Sequence, residues 1–327
     1  MRVLGNGYRT IITHAPWIWR FLYRCADRIP LGGDTIDGLP FVTRGAAKFL
    51  NELHPAALVS TYPLYGHIIE RLFGAGPLPF GLLTVVTDST SINHSWINGA
   101  DGHYAVADTE SADYFVGQGV ASQQVHVTGF PVHPAFGAER PAAAPEPRLP
   151  DPFRILYTPS TKTPVVTHTF AALSEFARDA PVDVELTVVL GRHETRLREI
   201  AESAAPEGTE ILGWTDRIPE LLGASHLLIG KAGGASVQEA LCSACPMLVN
   251  YVVPGQEEGN AERLCAAGAG AMMPTPDKLV AYLDDLVADG GARWLAMRSN
   301  AFRAGRPDAA ATVAGIAIEL ATKAGAI

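Results

Sequence analysis

The feature that most constrains this chain is an alternation of short, continuously apolar runs with stretches of helical spacing. AALVST (56–61), GLLTVVTD (81–88), HYAVAD (103–108) and HVTGF (126–130) read as buried strands. GHIIERLF (66–73) and SADYFVGQG (111–119) read as helices between them. Strands that are apolar throughout must be covered on both faces, and intervening helices supply that cover, so the pattern predicts βαβ units around a parallel sheet. Five prolines then fall within residues 137–152, GAERPAAAPEPRLPDP, which specifies a semi-extended connection. Beyond it the pattern restarts with RILYTP (154–159), VELTVVLG (184–191), TEILGW (209–214), HLLIG (226–230) and PMLVNYVV (246–253). The expected organisation is an α/β protein of two Rossmann-like domains, 1–137 and 153–300. A Pro-rich linker, 138–152, joins them, and a helix at 301–327 is free to pack back on the first domain. Open parallel sheets bind ligands at the carboxyl ends of their strands, so a cleft is expected where the two sheets face each other.

Composition narrows the function. The 327 residues carry 25 basic and 34 acidic side chains, a net charge of −9. Nucleic-acid binding needs a basic footprint, so it is not expected. The charge is uneven: residues 1–50 are net positive (Arg2, Arg9, Arg20, Arg24, Arg28, Arg44 and Lys48 against Asp27, Asp34 and Asp37) on an otherwise acidic chain. Within that segment APWIWRFLYR (15–24) has helical spacing, with Trp17, Trp19, Arg20 and Arg24 on it. It reads either as an ordinary amphipathic helix packed on a core or as an interfacial helix whose aromatic and arginine side chains meet an anionic membrane surface. The start, MRVLGNGYRT, has no apolar signal-peptide core, and no run reaches the length of a membrane-spanning helix. Four cysteines (Cys25, Cys242, Cys245, Cys265) are too scattered for a disulfide scaffold and point to a reducing compartment. Cys242-x-x-Cys245 reads as two small buried residues rather than a redox pair.

The chemistry concentrates in residues 225–264, SHLLIGKAGGASVQEALCSACPMLVNYVVPGQEEGNAERL. A buried strand ends at Gly230, a turn Lys231-Ala232-Gly233-Gly234-Ala235 follows, and a helix begins near Ser236. Strand, glycine turn and helix N-terminus together make an anion site, because unpaired N–H groups and the macrodipole face outward and glycine lets a diphosphate approach the backbone. Lys231 adds a full positive charge. Ser236-x-x-Glu239 is also a capping box, which gives Glu239 a structural role beside any ligand role. Pro254-Gly255-Gln256-Glu257-Glu258-Gly259-Asn260 is a loop rich in carboxylates and amides straight after an apolar strand. It is either a solvated loop with a helix cap or a set of hydrogen-bonding groups suited to a polyol.

KAGGASVQEAL…P…PGQEEGNAERL, preceded by GWTDRIPELLGASHLLIG, resembles the nucleotide-sugar half of the monogalactosyl- and glucosyl-diacylglycerol synthases. These are relatives of the lipid II GlcNAc transferase in glycosyltransferase family twenty-eight. LVSTYPLYGHIIERL, Thr87-Asp88 followed by Trp96, and VHVTGFPVHPAF are similar to the acceptor half. The resemblance implies a GT-B fold and inverting transfer of a hexose from a UDP-sugar to a lipid acceptor, with diacylglycerol expected, and no metal or other cofactor. It implies that Gly213 and Trp214 border the uracil, that Gly233, Gly234, Ala235 and Ser236 cradle the diphosphate with Lys231 and Arg192 close by, that Glu239 holds the ribose, and that Gln256, Glu257 and Asn260 hold the sugar. The absence of an Asp-x-Asp triplet agrees with leaving-group stabilisation by the helix N-terminus and a cation. The implied location is cytoplasmic, peripheral to the inner face of the plasma membrane.

Two departures from the family pattern stand out. The family opens with a strand and a Gly-rich turn ending in His, and nothing in residues 1–14 matches it, so an incomplete N-terminal domain is expected. The loop after the first strand of the second domain, Thr158-Pro159-Ser160-Thr161-Lys162-Thr163-Pro164, replaces a glycine-rich one. The candidate bases that remain are Asp88, His94 and His67. Asp88 is favoured as base, the alternative being a cap on the turn of Ser89–Ser91, and His67 alternatively caps the helix at 66–73. Besides the glycolipid transferase, two readings stay open: the same fold acting on a lipid-linked peptidoglycan precursor or another glycoside, and a donor-binding remnant without turnover.

Overall fold

The structure, a computed structural model, describes residues 40–88, 92–138, 140, 148–253, 257–273 and 275–325. The chain divides into two compact units, Met1–Pro131 with Asp308–Ile327, and Val132–Pro307.

In the first unit α1 (Pro40–Leu53) leads to β1 (Ala57–Ser60), α2 (Pro63–Phe73), β2 (Gly81–Val85), a 3-10 turn at His94–Trp96, β3 (His103–Val106), α3 (Thr109–Gly117) and β4 (Val125–Val127). The described strands form one parallel sheet in the order β1-β2-β3-β4. β2 is buried at every position because successive side chains enter different cores. Leu82 packs with Leu50, Ile69 and Phe80, whereas Leu83 and Val85 pack with Ala105 and with Val313 and Leu320 of α12 (Ala309–Lys323). The carboxyl-terminal helix is thus the cover of one sheet face in this unit.

The second unit runs α4 (Ala135–Ala138), β5 (Phe153–Thr158), α5 (Thr163–Asp179), β6 (Val184–Val189), α6 (Glu194–Ala204), β7 (Glu210–Leu212), α7 (Ile218–Ala224), β8 (Leu227–Lys231), α8 (Gly234–Cys242), β9 (Met247–Tyr251), α9 (Glu258–Ala266), β10 (Gly270–Met272), α10 (Pro276–Val287) and α11 (Ala292–Ala304). Its six parallel strands lie in the order β10-β9-β8-β5-β6-β7. The core on one face joins Phe153, Ile155 and Tyr157 of β5 to Val166, Phe170, Leu173 and Phe176 of α5. The spacing of those α5 residues is the apolar stripe of an amphipathic helix.

The unit boundaries differ from the sequence expectation. The first passage falls at Pro131/Val132, before the Pro-rich stretch, because Phe136 is buried and a side chain at Gly137 would collide with Pro307. The return falls at Pro307/Asp308 rather than at 301, because α11 packs on α8 and α10. Cys242 and Cys245 are buried, free thiols, and burial pushes the Cys245 thiol up to about 12, which leaves it unreactive at neutral pH. Among the described residues no helix is long and apolar enough to cross a membrane.

Candidate functional site

The chain order of the second sheet reverses between β5 and β8: β6 and β7 build outward on one side of β5, and β8, β9 and β10 on the other. Helices α5 and α8 begin directly beyond the carboxyl ends of these two neighbouring strands. Such a reversal point is where an open α/β sheet has room for a ligand, and each helix start brings unpaired N–H groups to it. The strands come close there, since a Cβ at Gly230 would collide with Thr158 Oγ1. Pro164 occupies the first turn of α5, where its missing N–H costs little.

The glycine turn has a different logic. Gly233 is the N-cap of α8, with φ −65° and ψ 140°, a conformation open to any residue. Among the described residues, the three atoms nearest an added Cβ are Lys231 Nζ and Ser236 Oγ at 3.6 Å and Glu257 Oε1 at 3.9 Å, ordinary contact distances. Among the described residues neither the backbone nor the packing demands glycine there, and the lack of a side chain leaves the helix start open to close approach. Its surroundings are a cation, a hydroxyl, a carboxylate and a helix N-terminus.

Three of the candidate residues are committed within the chain. Lys231 is ion-paired with Glu257, whose other oxygen accepts the Val253 N–H at 3.0 Å. Asn260 Nδ2 donates to the Ala232 carbonyl at 3.1 Å, tying α9 to the glycine turn. Glu239 behaves differently. The helix starts at Gly234, so Ser236 lies inside its first turn and no side chain caps it. The expected capping box is therefore not formed. Glu239 is half-buried, burial raises its carboxyl above its ordinary range, and among the described residues its side chain makes no hydrogen bond. A half-buried carboxylate with no hydrogen bond to the described chain is open to a hydroxyl donor from a ligand.

Further along the same sheet edge, Gly191 N–H donates to the Gly213 carbonyl at 3.2 Å, which brings the turn carrying Arg192 beside Gly213 and Trp214. Arg192 is exposed, and Trp214 is 65% exposed, so much of its aromatic surface is uncovered. Gly213 lies against the Glu194 carboxylate.

In the first unit, Asp88 follows β2 at the carboxyl edge of the sheet. Its Oδ2 accepts the Trp96 indole N–H at 2.7 Å. His67 lies inside α2, which begins at Pro63, so it does not cap that helix. It is buried, and its Nε2 donates to the Ser95 carbonyl at 2.8 Å. Asp88 and His67 thus hold the 94–96 turn at consecutive residues, and the turn presents an exposed His94. A separate groove of about 500 Å³, lined by Val42, Phe49, Leu50, Leu58, Tyr65 and Ile68, runs between α1, β1 and α2. Phe41, Phe49, Tyr62 and Tyr65 are at least half exposed around it.

Several expectations lie outside the described residues: Gln256, the Ser89–Ser91 turn that Asp88 was to cap, and Trp17, Trp19, Arg20 and Arg24. Sequence reading also missed a buried polar trio beneath the switch point. Asn250 Nδ2 donates to Thr169 Oγ1 at 3.0 Å and to Tyr157 Oη at 3.4 Å. Thr169 spends its own proton on the Val165 carbonyl, which fixes the amide's orientation. The signal was present as an Asn inside an otherwise apolar strand. The apolar groove was also missed, because its lining comes from three elements.

Comparison with known proteins places these features. Residues 2–132 match the monogalactosyldiacylglycerol (MGDG) synthase family, and residues 166–313 the glycosyltransferase family 28 C-terminal domain. The chain is 25% identical over 317 residues to the chloroplastic monogalactosyldiacylglycerol synthase of Spinacia oleracea, covering 94% of this chain and 60% of that protein. It is 25% identical over 253 residues to the processive diacylglycerol beta-glucosyltransferase of Staphylococcus carnosus, covering 76% of this chain and 64% of that one. It therefore spans less than two thirds of the length of these relatives. Among solved structures, Neisseria meningitidis UDP-GlcNAc 2-epimerase superposes with a TM-score of 0.62 at 13% identity, over 85% of this chain and 80% of that one. Acinetobacter baumannii MurG superposes at 0.58 and 15%, over 85% and 78%. The fold is thus GT-B, with two parallel α/β units, and the chain belongs to the monogalactosyldiacylglycerol-synthase-like branch of glycosyltransferase family 28.

Proposed function

We propose that this chain transfers a hexose from a UDP-sugar to a diacylglycerol-type lipid with inversion at the anomeric carbon. The observation that carries the reading is the switch point of the second unit: a glycine at the N-cap of α8 that the described residues do not require, with Lys231 beside it and, in the same helix, a half-buried Glu239 with no side-chain hydrogen bond within the described residues. A diphosphate meets the N–H groups of α8, and a ribose hydroxyl donates to Glu239. Trp214 offers a face to the uracil. As the acceptor oxygen bonds to the anomeric carbon, the bond to the diphosphate breaks and its electrons go to UDP. The α8 N-terminus, with Lys231, carries that developing charge, so the reading needs no metal or other cofactor. The acceptor proton goes to a base on the first unit, for which Asp88 is the choice. Its hydrogen bond from Trp96 orients the carboxylate. The apolar groove between α1 and α2 suits acyl chains, and the basic 1–50 segment suits an anionic bilayer at the inner face of the plasma membrane.

The test is calorimetric titration of the full chain with UDP, paired with UDP release from UDP-glucose and UDP-galactose on vesicles containing diacylglycerol. Binding with turnover supports the reading. Binding without turnover reduces the chain to a donor-binding protein, and absence of UDP binding removes the reading altogether. Asp88→Asn keeps an acceptor for Trp96 but loses the basic carboxylate. It is expected to lower kcat by about 10²- to 10⁴-fold at unchanged UDP affinity. An unchanged rate removes Asp88 as the base.

A further inference from the structure

The Lys231–Glu257 pair has an asymmetry that a simple structural salt bridge would not need. Glu257 is 6% exposed and fixed, with Oε2 on the Val253 N–H at 3.0 Å and its own N–H on the Val253 carbonyl at 3.1 Å. The Lys231 side chain, in contrast, is 42% exposed and makes its contact through a flexible stem. Asn260 independently anchors the turn backbone through Ala232, so Lys231 can swing without unfolding the turn. The pair also lies beside the start of α8, since its two charged atoms are among the three nearest a Cβ on Gly233. A diphosphate arriving at that helix start brings negative charge up to a buried carboxylate and competes with it for one ammonium.

We propose that Lys231 and Glu257 form an exchange switch, resting on the donor-site reading above. In the ligand-free chain Glu257 holds Lys231 across the glycine turn. A nucleoside diphosphate takes Lys231 over, while Glu257 stays in place on Val253. After transfer, recapture of Lys231 by Glu257 weakens the hold on the product diphosphate and speeds its departure. Glu257 is thereby a positioning residue that acts through Lys231, and it lowers affinity for the free nucleotide.

The experiment is titration of the full-length chain with UDP, comparing wild type, Glu257→Gln, Lys231→Met and the double variant. Glu257→Gln keeps the acceptor for Val253 N–H and removes the charge. UDP is expected to bind it roughly 5- to 30-fold more tightly than wild type. Lys231→Met is expected to bind UDP more weakly than wild type, and the gain from Glu257→Gln to shrink in that background. A merely structural Glu257 predicts weaker binding, because loss of packing does not raise affinity. Unchanged or weaker UDP binding by Glu257→Gln overturns the exchange and leaves the donor site intact, as does an equal gain in both backgrounds, which would mark plain repulsion. Absence of UDP binding by wild type overturns the donor-site reading and the exchange with it. Should Glu257→Gln fail to fold, Glu257→Asp, which keeps the charge on a shorter arm, is expected to tighten UDP binding, and unchanged affinity there overturns the proposal.

Discussion

At the scale of single residues, the structure separates groups that serve the chain from groups the chain leaves unused. Glu239 is the clearest of the second kind. In sequence it was ambiguous between helix cap and ligand group. One turn of offset decides between them, because α8 begins at Gly234 rather than after Ser236. Removing a half-buried carboxylate with no described hydrogen-bond partner costs the ligand-free chain no hydrogen bond, so Glu239→Ala is expected to leave its melting temperature unchanged or raised. The same change should weaken UDP binding by roughly 1–3 kcal/mol, the worth of a charged hydrogen bond. Thermal unfolding and titration on the same sample check both. A fall in melting temperature at intact affinity would restore the structural role. His67 went the other way. Sequence reading left it as a candidate base or a cap of the helix at 66–73, and the structure has its ring donating to the Ser95 carbonyl, 28 residues away. No local pattern encodes such a partner.

At the scale of elements, strand and helix identities followed from periodicity because each is set by neighbours a few residues apart. What an element packs against is another matter. Helix α12 is Ala-rich, and the sequence left its docking open. It buries Val313 and Leu320 against Leu83, Val85 and Ala105, and a side chain at Gly81 would collide with Leu320 Cβ. Leu320→Ala is expected to destabilise the first unit by about 2–3 kcal/mol, the lower range for a leucine at a packed but not fully enclosed position. Denaturant unfolding, followed by a probe in that unit, measures it. A loss below about 1 kcal/mol would mean that α12 is not an integral cover of the sheet.

At the scale of the whole molecule, the chain passes from the first unit to the second at 131/132 and returns at 307/308. Proline content pointed to the right neighbourhood for the first crossing, but Phe136 and Pro307 moved both crossings, because packing decides where a domain ends. The second unit also carries its own pH dependence. His226 is buried against Phe153 and Trp294, and its Nδ1 accepts the Arg154 N–H at 2.9 Å. Burial first, then Arg298 and Arg154, pushes it down to about 4 from 6.5. The folded chain therefore prefers the neutral ring, while the unfolded chain takes up a proton near pH 6.5. The stability this group contributes is complete above about pH 6.5 and is lost as pH falls toward 4, by roughly 3 kcal/mol in all. Unfolding titrations near pH 7 and pH 4.5 should show that loss, flattened in His226→Gln. An equal slope in both would exclude His226 as its source.

The sequence by itself determined the alternating elements, the two parallel sheets and the segment that holds the donor-site candidates, since each is written in residues close together along the chain. Only the tertiary structure decided which candidate residues, in the donor site and in the first unit, are occupied. The start of α8 freed Glu239 from a capping role. Glu257 captured Lys231 from 26 residues away, and Trp96 captured Asp88. The physical reason is range. Periodicity and turn chemistry act between near neighbours, whereas a side chain's partner is chosen by whatever the fold brings within hydrogen-bonding distance.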